Sequence, residues 1–132
     1  MPELPEVEHV KRGIEPYIKN ERIKKVIFSD NVIKGKKDNR ETIIKGMELD
    51  SFAKLTEGYT ITQVLRRSKY IVLHIERDND QRILISHLGM AGGFFVVDDL
   101  EDIATPNYRK HWQVIFELEN EKKLVYSDIR RF

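Results

Sequence analysis

Between Tyr59 and Asp128 the chain breaks into six short runs of branched and aromatic residues: YTITQVLRR, KYIVLHIE, RILISHL, GGFFVV, HWQVIFELE and KLVYSD. No other feature narrows the fold as much. Runs of this length and composition read as strands, and the polar stretches RDNDQ and ENEKK separate two pairs of them as hairpin turns would. In KYIVLHIE, Ile71, Leu73 and Ile75 alternate with Tyr70, Val72 and His74, the period of a strand with one buried face. In HWQVIFELE, Trp112, Val114, Phe116 and Leu118 fall on one face. RIKKVIFS (22–29) reads as a further, earlier strand. The expected class is mainly β with flanking helices, an antiparallel β-sandwich or barrel.

Helical signals are fewer. The first eight residues, MPELPEVE, hold two prolines and three glutamates. Pro5 suits the first turn of a helix, where its missing N–H would have no partner, and acids there complement the helix dipole. Val7, Val10, Ile14 and Tyr17 then form an apolar stripe, and Pro16 is expected to end or kink the helix. DNVIKGKKDNRE (30–41) reads as a polar loop. DSFAKL reads as a short helix with Asp50 as its N-cap.

At 132 residues the chain has the length of one domain, able to bury a core without disulfides. It has no cysteine, which excludes thiol nucleophiles and thiolate metal sites. His9, His74, His87 and His111 are scattered, so no metal site is expected. The net charge of +1 leaves any basic footprint local. No apolar run approaches the ~20 residues of a membrane span, and a cytoplasmic location is the default.

Basic residues gather at RRSK (66–69), NYRK (107–110) and IRR (129–131), at what read as strand ends and loops. They form either one shared surface or ordinary solvated edges. HLGMAGGFF carries Gly89, Gly92 and Gly93 around Met90, a shaped loop between two strands. Met90 either folds back into the core or inserts into a partner, as apolar wedges do between stacked bases.

PELPEVE after the initiator methionine, RRSKY, HLGMAG and the terminal SDIRRF occur in this order, and together they resemble the N-terminal domain of the formamidopyrimidine-DNA glycosylase family. PELPE is closer to this branch than to the endonuclease VIII branch, which usually has glycine where Leu4 stands. The resemblance covers the whole chain and implies a base-excision repair enzyme, a bifunctional glycosylase and AP lyase. Its partner would be double-stranded DNA holding an oxidised purine or an abasic site, bound by a monomer.

The resemblance also assigns roles. With Met1 removed, the amine of Pro2 attacks C1′ of the damaged nucleotide. Glu3 serves as general acid and base, Glu6 is a supporting carboxylate, and Lys69 grips phosphate beside the lesion. Met90 fills the gap left by the flipped base, with Arg130 and Phe132 as companions that probe the opposite base and wedge the stack. Lys34 corresponds to an arginine that touches backbone phosphate. His111 is expected either near a phosphate or in the core, and His87 is expected to brace the loop of Met90.

Ser68, Ala91 and Ile129 depart from the residues usual in the family, which are glycine, Thr or Ser, and proline. Relatives continue after RRF into a helix–two-turn–helix domain and a cysteine zinc ribbon. The 132 residues are thus expected to be a fragment, weak on DNA alone, with no cofactor of its own and the structural zinc in the part not included. The alternative is a non-catalytic DNA-binding relative, which would keep Met90 and the basic residues but lack Glu3 or block Pro2.

Overall fold

A computed structural model describes residues 4–37, 48–88 and 92–128. The chain forms seven strands in two antiparallel sheets. They are β1 (Ile23–Phe28), β2 (Thr60–Arg67), β3 (Tyr70–Arg77), β4 (Asp80–His87), β5 (Gly92–Val97), β6 (Trp112–Leu118) and β7 (Lys123–Asp128). One sheet is the meander β2-β3-β4, and the other has the order β1-β6-β7-β5. The expected antiparallel sandwich is what the chain adopts. Each run read as a strand is one, and RDNDQ and ENEKK turn β3 into β4 and β6 into β7.

The two sheets share one core. Ile61, Val64, Ile71, Leu73 and Ile75 from the meander meet Val114, Phe116, Leu118 and Leu124 from the other sheet, all buried. Each such side chain contributes about 1.5–3 kcal/mol of apolar burial. Helix α1 (Leu4–Ile18) packs along β2, β3 and β5 and adds Val7, Ile14 and Ile18 to this core. The apolar stripe runs to Ile18 rather than Tyr17, which is half exposed with Lys122 Nζ 5.9 Å over its ring. Pro16 does not end the helix, which runs on to Ile18; it removes one N–H bond, to the turn before it, and with only two helical residues after it little of the helix is left to bend away. Asn20, at φ +70°, then redirects the chain.

The stretch 30–41, read as loop, begins with helix α2 (Asp30–Lys37), and residues 38–41 lie outside the described residues. Ser29 Oγ accepts from Val32 N–H at 3.3 Å, an N-cap, and Val32 is buried. Helix α3 (Leu49–Lys54) lies where DSFAKL was expected to be helical, but Glu48 occupies the N-cap position and Asp50 sits inside the first turn. NYRK lies in α4 (Pro106–Lys110), not in a loop or at a strand end; Thr105 is its N-cap and Pro106 its first residue.

A 3-10 turn (Leu100–Asp102) and α4 cover the outer face of the four-stranded sheet. There Ile103, Ile115 and Val125 form a second cluster with Phe95, Tyr108 and Trp112. Trp112 therefore does not share the face of Val114, Phe116 and Leu118. The register shifts between Trp112 and Val114, and this bulge turns the indole outward. On the other side, Ile83 and Ile85 alternate outward from β4 and are exposed.

Candidate active site

Strand register brings separate stretches of sequence to one end of the sandwich. β2 and β3 join through Ser68 and Lys69, with Arg67 opposite Tyr70, and Tyr70 in turn opposite His87 at the end of β4. The Lys69 turn and the exit from β4 are therefore neighbours, and the rings of Tyr70 and His87 pack at 4.9 Å. In the other sheet Gly92 pairs with Asp128, so β5 begins beside the place where β7 ends. Asp128 N–H donates to the His111 carbonyl at 3.1 Å, placing His111 at the same end. β1 arrives there too: Phe28 pairs with Val114, and Ser29 N–H donates to the Gln113 carbonyl at 2.9 Å. The helix that follows carries Lys34, exposed.

The first helix begins at this end. Asn20 N–H donates to the carbonyl of Ile61, whereas Glu8 meets Arg66. The helix rises about 15 Å from Glu8 to Ile18, and β2 covers about 17 Å from Ile61 to Arg66. The two run side by side in opposite directions, so the helix starts towards the Ser68–Lys69 turn. Glu6 is exposed in its first turn. Pro2 and Glu3, immediately upstream, lie outside the described residues.

Glu8 is the electrostatic centre of this helix–hairpin junction. Its two carboxylate oxygens accept from Arg66 Nε and Arg12 Nε, each at 2.9 Å. Arg66 first, and Arg12 second, hold the Glu8 carboxyl below the usual carboxylate range. Arg66 Nη1 also donates to the Ser68 carbonyl at 3.1 Å. Arg66 is thus engaged within the protein, while Arg67 is exposed. Ser68 has φ +53°, a conformation in which glycine is at ease and an L side chain is not. Lys69 is half-buried.

Met90 also lies outside the described residues, but the two ends of its segment are held together. Gly92 N–H donates to the Leu88 carbonyl at 2.7 Å, and both residues are buried. Arg130 and Phe132 likewise lie outside the description, just beyond Asp128, which is fully buried with Oδ2 3.3 Å from the Tyr126 hydroxyl. His111 is half-buried at the C-cap of α4, and its carbonyl also accepts from Gln113 Nε2 at 3.1 Å.

Of the ten residues given roles in the sequence, Glu6, Lys34, Lys69, His87 and His111 are described, and all five belong to this end. Sequence reasoning missed the parts of Glu8 and Arg66. A carboxylate one turn beyond Leu4 and an arginine three residues before Lys69 were available signals, but only the packed helix shows that they meet. A polar depression at the opposite end, lined by Arg22, Gly58, Glu76, Arg77 and Asp78 among others, has mixed charge and contains none of these residues. Among the described residues no group of three or more His, Asp or Glu gathers to hold a metal, and no helix is long and apolar enough to cross a membrane.

The sequence matches the family model described as formamidopyrimidine-DNA glycosylase N-terminal domain over residues 1–132. It is 38% identical over 133 residues to a formamidopyrimidine-DNA glycosylase of Streptococcus pyogenes, covering all of this chain and 41% of that protein. A Rhizobium leguminosarum protein of the same name is 35% identical over 147 residues, with 44% of it covered. Among solved structures, the Lactococcus lactis Fpg in complex with abasic-site DNA is similar at TM-score 0.71 and 28% identity, covering 99% of this chain and 42% of that one. The same enzyme, inhibited and bound to DNA containing N7-benzyl-Fapy-dG, gives a TM-score of 0.74. The chain spans less than half the length of these relatives. With its sequence matched from end to end and its sandwich shared, the chain belongs to the formamidopyrimidine-DNA glycosylase family, through that family's N-terminal domain.

Proposed function

We propose that this chain is the catalytic N-terminal domain of a bifunctional DNA glycosylase and AP lyase acting on oxidised purines and abasic sites in double-stranded DNA. The observation that carries the reading is the convergence at one end of the sandwich: the start of the first helix, the Lys69 turn, and the bases of the segments holding Met90 and Arg130. A nucleophile at the chain terminus, a phosphate-binding cation and a base-replacing wedge need to act on the same nucleotide.

In this reading the Pro2 amine, freed by removal of Met1, attacks C1′. An α-amino group titrates near about 7.7–8.0, so part of it is neutral at cellular pH. The C1′–N bond to the base breaks and the base leaves with the proton given up by the amine; the C1′–O4′ bond then opens, O4′ takes a proton relayed by Glu3, and the resulting C1′ iminium joins protein to sugar. The iminium acidifies the C2′ proton. Its removal expels the 3′ phosphate, and a second elimination expels the 5′ phosphate. Lys69 and Lys34 hold phosphates, adding salt-dependent affinity, and Glu6 supports the site. Met90, Arg130 and Phe132 occupy the space of the extruded nucleotide, offsetting part of the few kcal/mol that extrusion costs. In the same reading His111, half-buried at this end, contacts a phosphate.

We further propose that the domain works in the cytoplasm as a monomer, within a longer protein whose other half completes the grip on DNA. The family's structural zinc belongs to that half, and this chain holds no cofactor of its own.

The test is to weigh the purified protein, establishing whether Met1 is gone, and to incubate it with 8-oxoguanine or abasic-site duplex and borohydride. It is run on the chain alone and on the chain fused to the C-terminal half of the Streptococcus pyogenes relative. A covalent adduct mapping to Pro2, reduced at least tenfold in rate by Lys69→Ala, is the expected result. No adduct from either Met1-free form, with DNA still bound, replaces this reading with a non-catalytic DNA-binding role.

A further inference from the structure

We infer that Arg66 and Glu8 are positioning residues that set the place of Lys69 relative to the start of the first helix. The inference rests on the function proposed above and adds two residues to it. Three observations carry it. Arg66 Nε donates to Glu8 Oε1 at 2.9 Å while Arg66 Nη1 donates to the Ser68 carbonyl at 3.1 Å, so one guanidinium spans helix and turn. Glu8 also accepts from Arg12 Nε at 2.9 Å, so both of its carboxylate oxygens are engaged, one of them by Arg66. Ser68 stands at φ +53°, a turn that an L residue adopts only under strain and that gains from an outside hold on its carbonyl.

The consequence is geometric. The Ser68 carbonyl belongs to the peptide that leads directly into Lys69, so Arg66 acts on the backbone one bond upstream of that residue. Glu8 lies about 6 Å along the helix from Leu4, so it acts on the element that presents the chain terminus. The planar fork of arginine reaches both partners from fixed angles, whereas a lysine ammonium on a flexible stem meets one or the other. An ion pair this exposed adds little to stability, with side chains about 30% accessible on both sides. Its use is orientation, and a misplacement of about 1 Å in a reacting constellation costs up to about a hundredfold in rate.

The test is a double-mutant cycle between Arg66→Ala and Lys69→Ala. It is read as the rate of borohydride-trapped adduct on abasic-site duplex, in the chain and in the fused form described above. Arg66→Ala is expected to slow adduct formation about tenfold to a hundredfold when Lys69 is present, and less than twofold when Lys69 is already alanine. Arg66→Lys, which keeps the charge, is expected to fall with Arg66→Ala. Urea midpoints of all variants should stay close to that of the unsubstituted chain. Amide exchange at Lys69 and Tyr70 should quicken in Arg66→Ala without a change at Leu73. Equal losses in both Lys69 backgrounds, or full rescue by Arg66→Lys, would overturn the inference and leave the glycosylase reading intact. No adduct from the unsubstituted protein in either form would overturn both.

Discussion

Replacing Gly92 by alanine puts a methyl carbon where the fold has no room for one. A Cβ built there stands 2.3 Å from the Leu88 carbonyl oxygen and 2.7 Å from the Tyr126 hydroxyl. Carbon–oxygen contacts ordinarily begin near about 3.3 Å, so something must retreat by about 1 Å. The Leu88 oxygen is backbone and accepts from Gly92 N–H itself at 2.7 Å, so it cannot retreat without stretching that bond. Overpacking of this kind costs about 1–3 kcal/mol, and the weakened hydrogen bond adds about 1, giving about 2–4 kcal/mol. Gly13 is the control. It lies on the exposed side of α1 with nothing within 4 Å of a Cβ, and alanine there should stabilise by about 0.5–1 kcal/mol. In urea, with a slope of about 1.5–2 kcal/mol per molar, Gly92→Ala should lower the midpoint by about 1–2.7 M and Gly13→Ala should raise it slightly, both at unchanged slope. A Gly92→Ala midpoint within about 0.3 M of the unsubstituted chain would refute the reasoning, because Leu88 and Tyr126 would then not be packed against that carbon.

Two further outcomes follow from single groups. Ser127 is fully buried and its hydroxyl has no hydrogen-bond partner among the described residues, so Ser127→Ala should stabilise the chain by about 1 kcal/mol; a loss of similar size on thermal melting would show that the hydroxyl is in fact satisfied. Glu8 has its folded pKa depressed below the unfolded value, chiefly by Arg66. Its contribution to stability is therefore fully present above about pH 4.5 and disappears as pH falls through the folded pKa. Urea midpoints between pH 3 and 7 should accordingly drop less steeply on acidification in Glu8→Gln than in the unsubstituted chain, and parallel curves would contradict this.

The strands were legible because each carries a signal that survives local reading. Branched and aromatic residues cluster, and Ile71, Leu73 and Ile75 keep period two, as their burial bears out. Trp112 escaped because one bulge reverses the side of every residue before it, and no composition marks a bulge. The helix after β1 escaped because Asp30, Asn31 and Gly35 lower any helix-propensity sum over 30–37 and three lysines make the stretch read as polar, whereas the Ser29 cap and the burial of Val32 decide the outcome. At the candidate site, family resemblance supplied the residues in sequence order but not their company. Lys69, His111 and Lys34 are far apart in the chain, and only strand register brings them to one end. Glu8 looked like helix-dipole chemistry until Arg66 was seen beside it.

The sheet order also governs when the molecule can assemble during synthesis. The meander of β2, β3 and β4 is contiguous in sequence and closes through two-residue turns, Ser68–Lys69 and Asp78–Asn79. The second sheet is different: β1 and β5 have no contact as paired neighbours and are joined only through the β6–β7 hairpin between them. Both must therefore wait, edges unpaired, until residues 112–128 have been made, with β1 closing a loop of about 85 residues. A nascent chain shorter than this can hold the Lys69 hairpin but not the sheet that fixes the ends of the Met90 and Arg130 segments. The last strands of this sandwich to be synthesised are thus the ones that turn two halves of a surface into one.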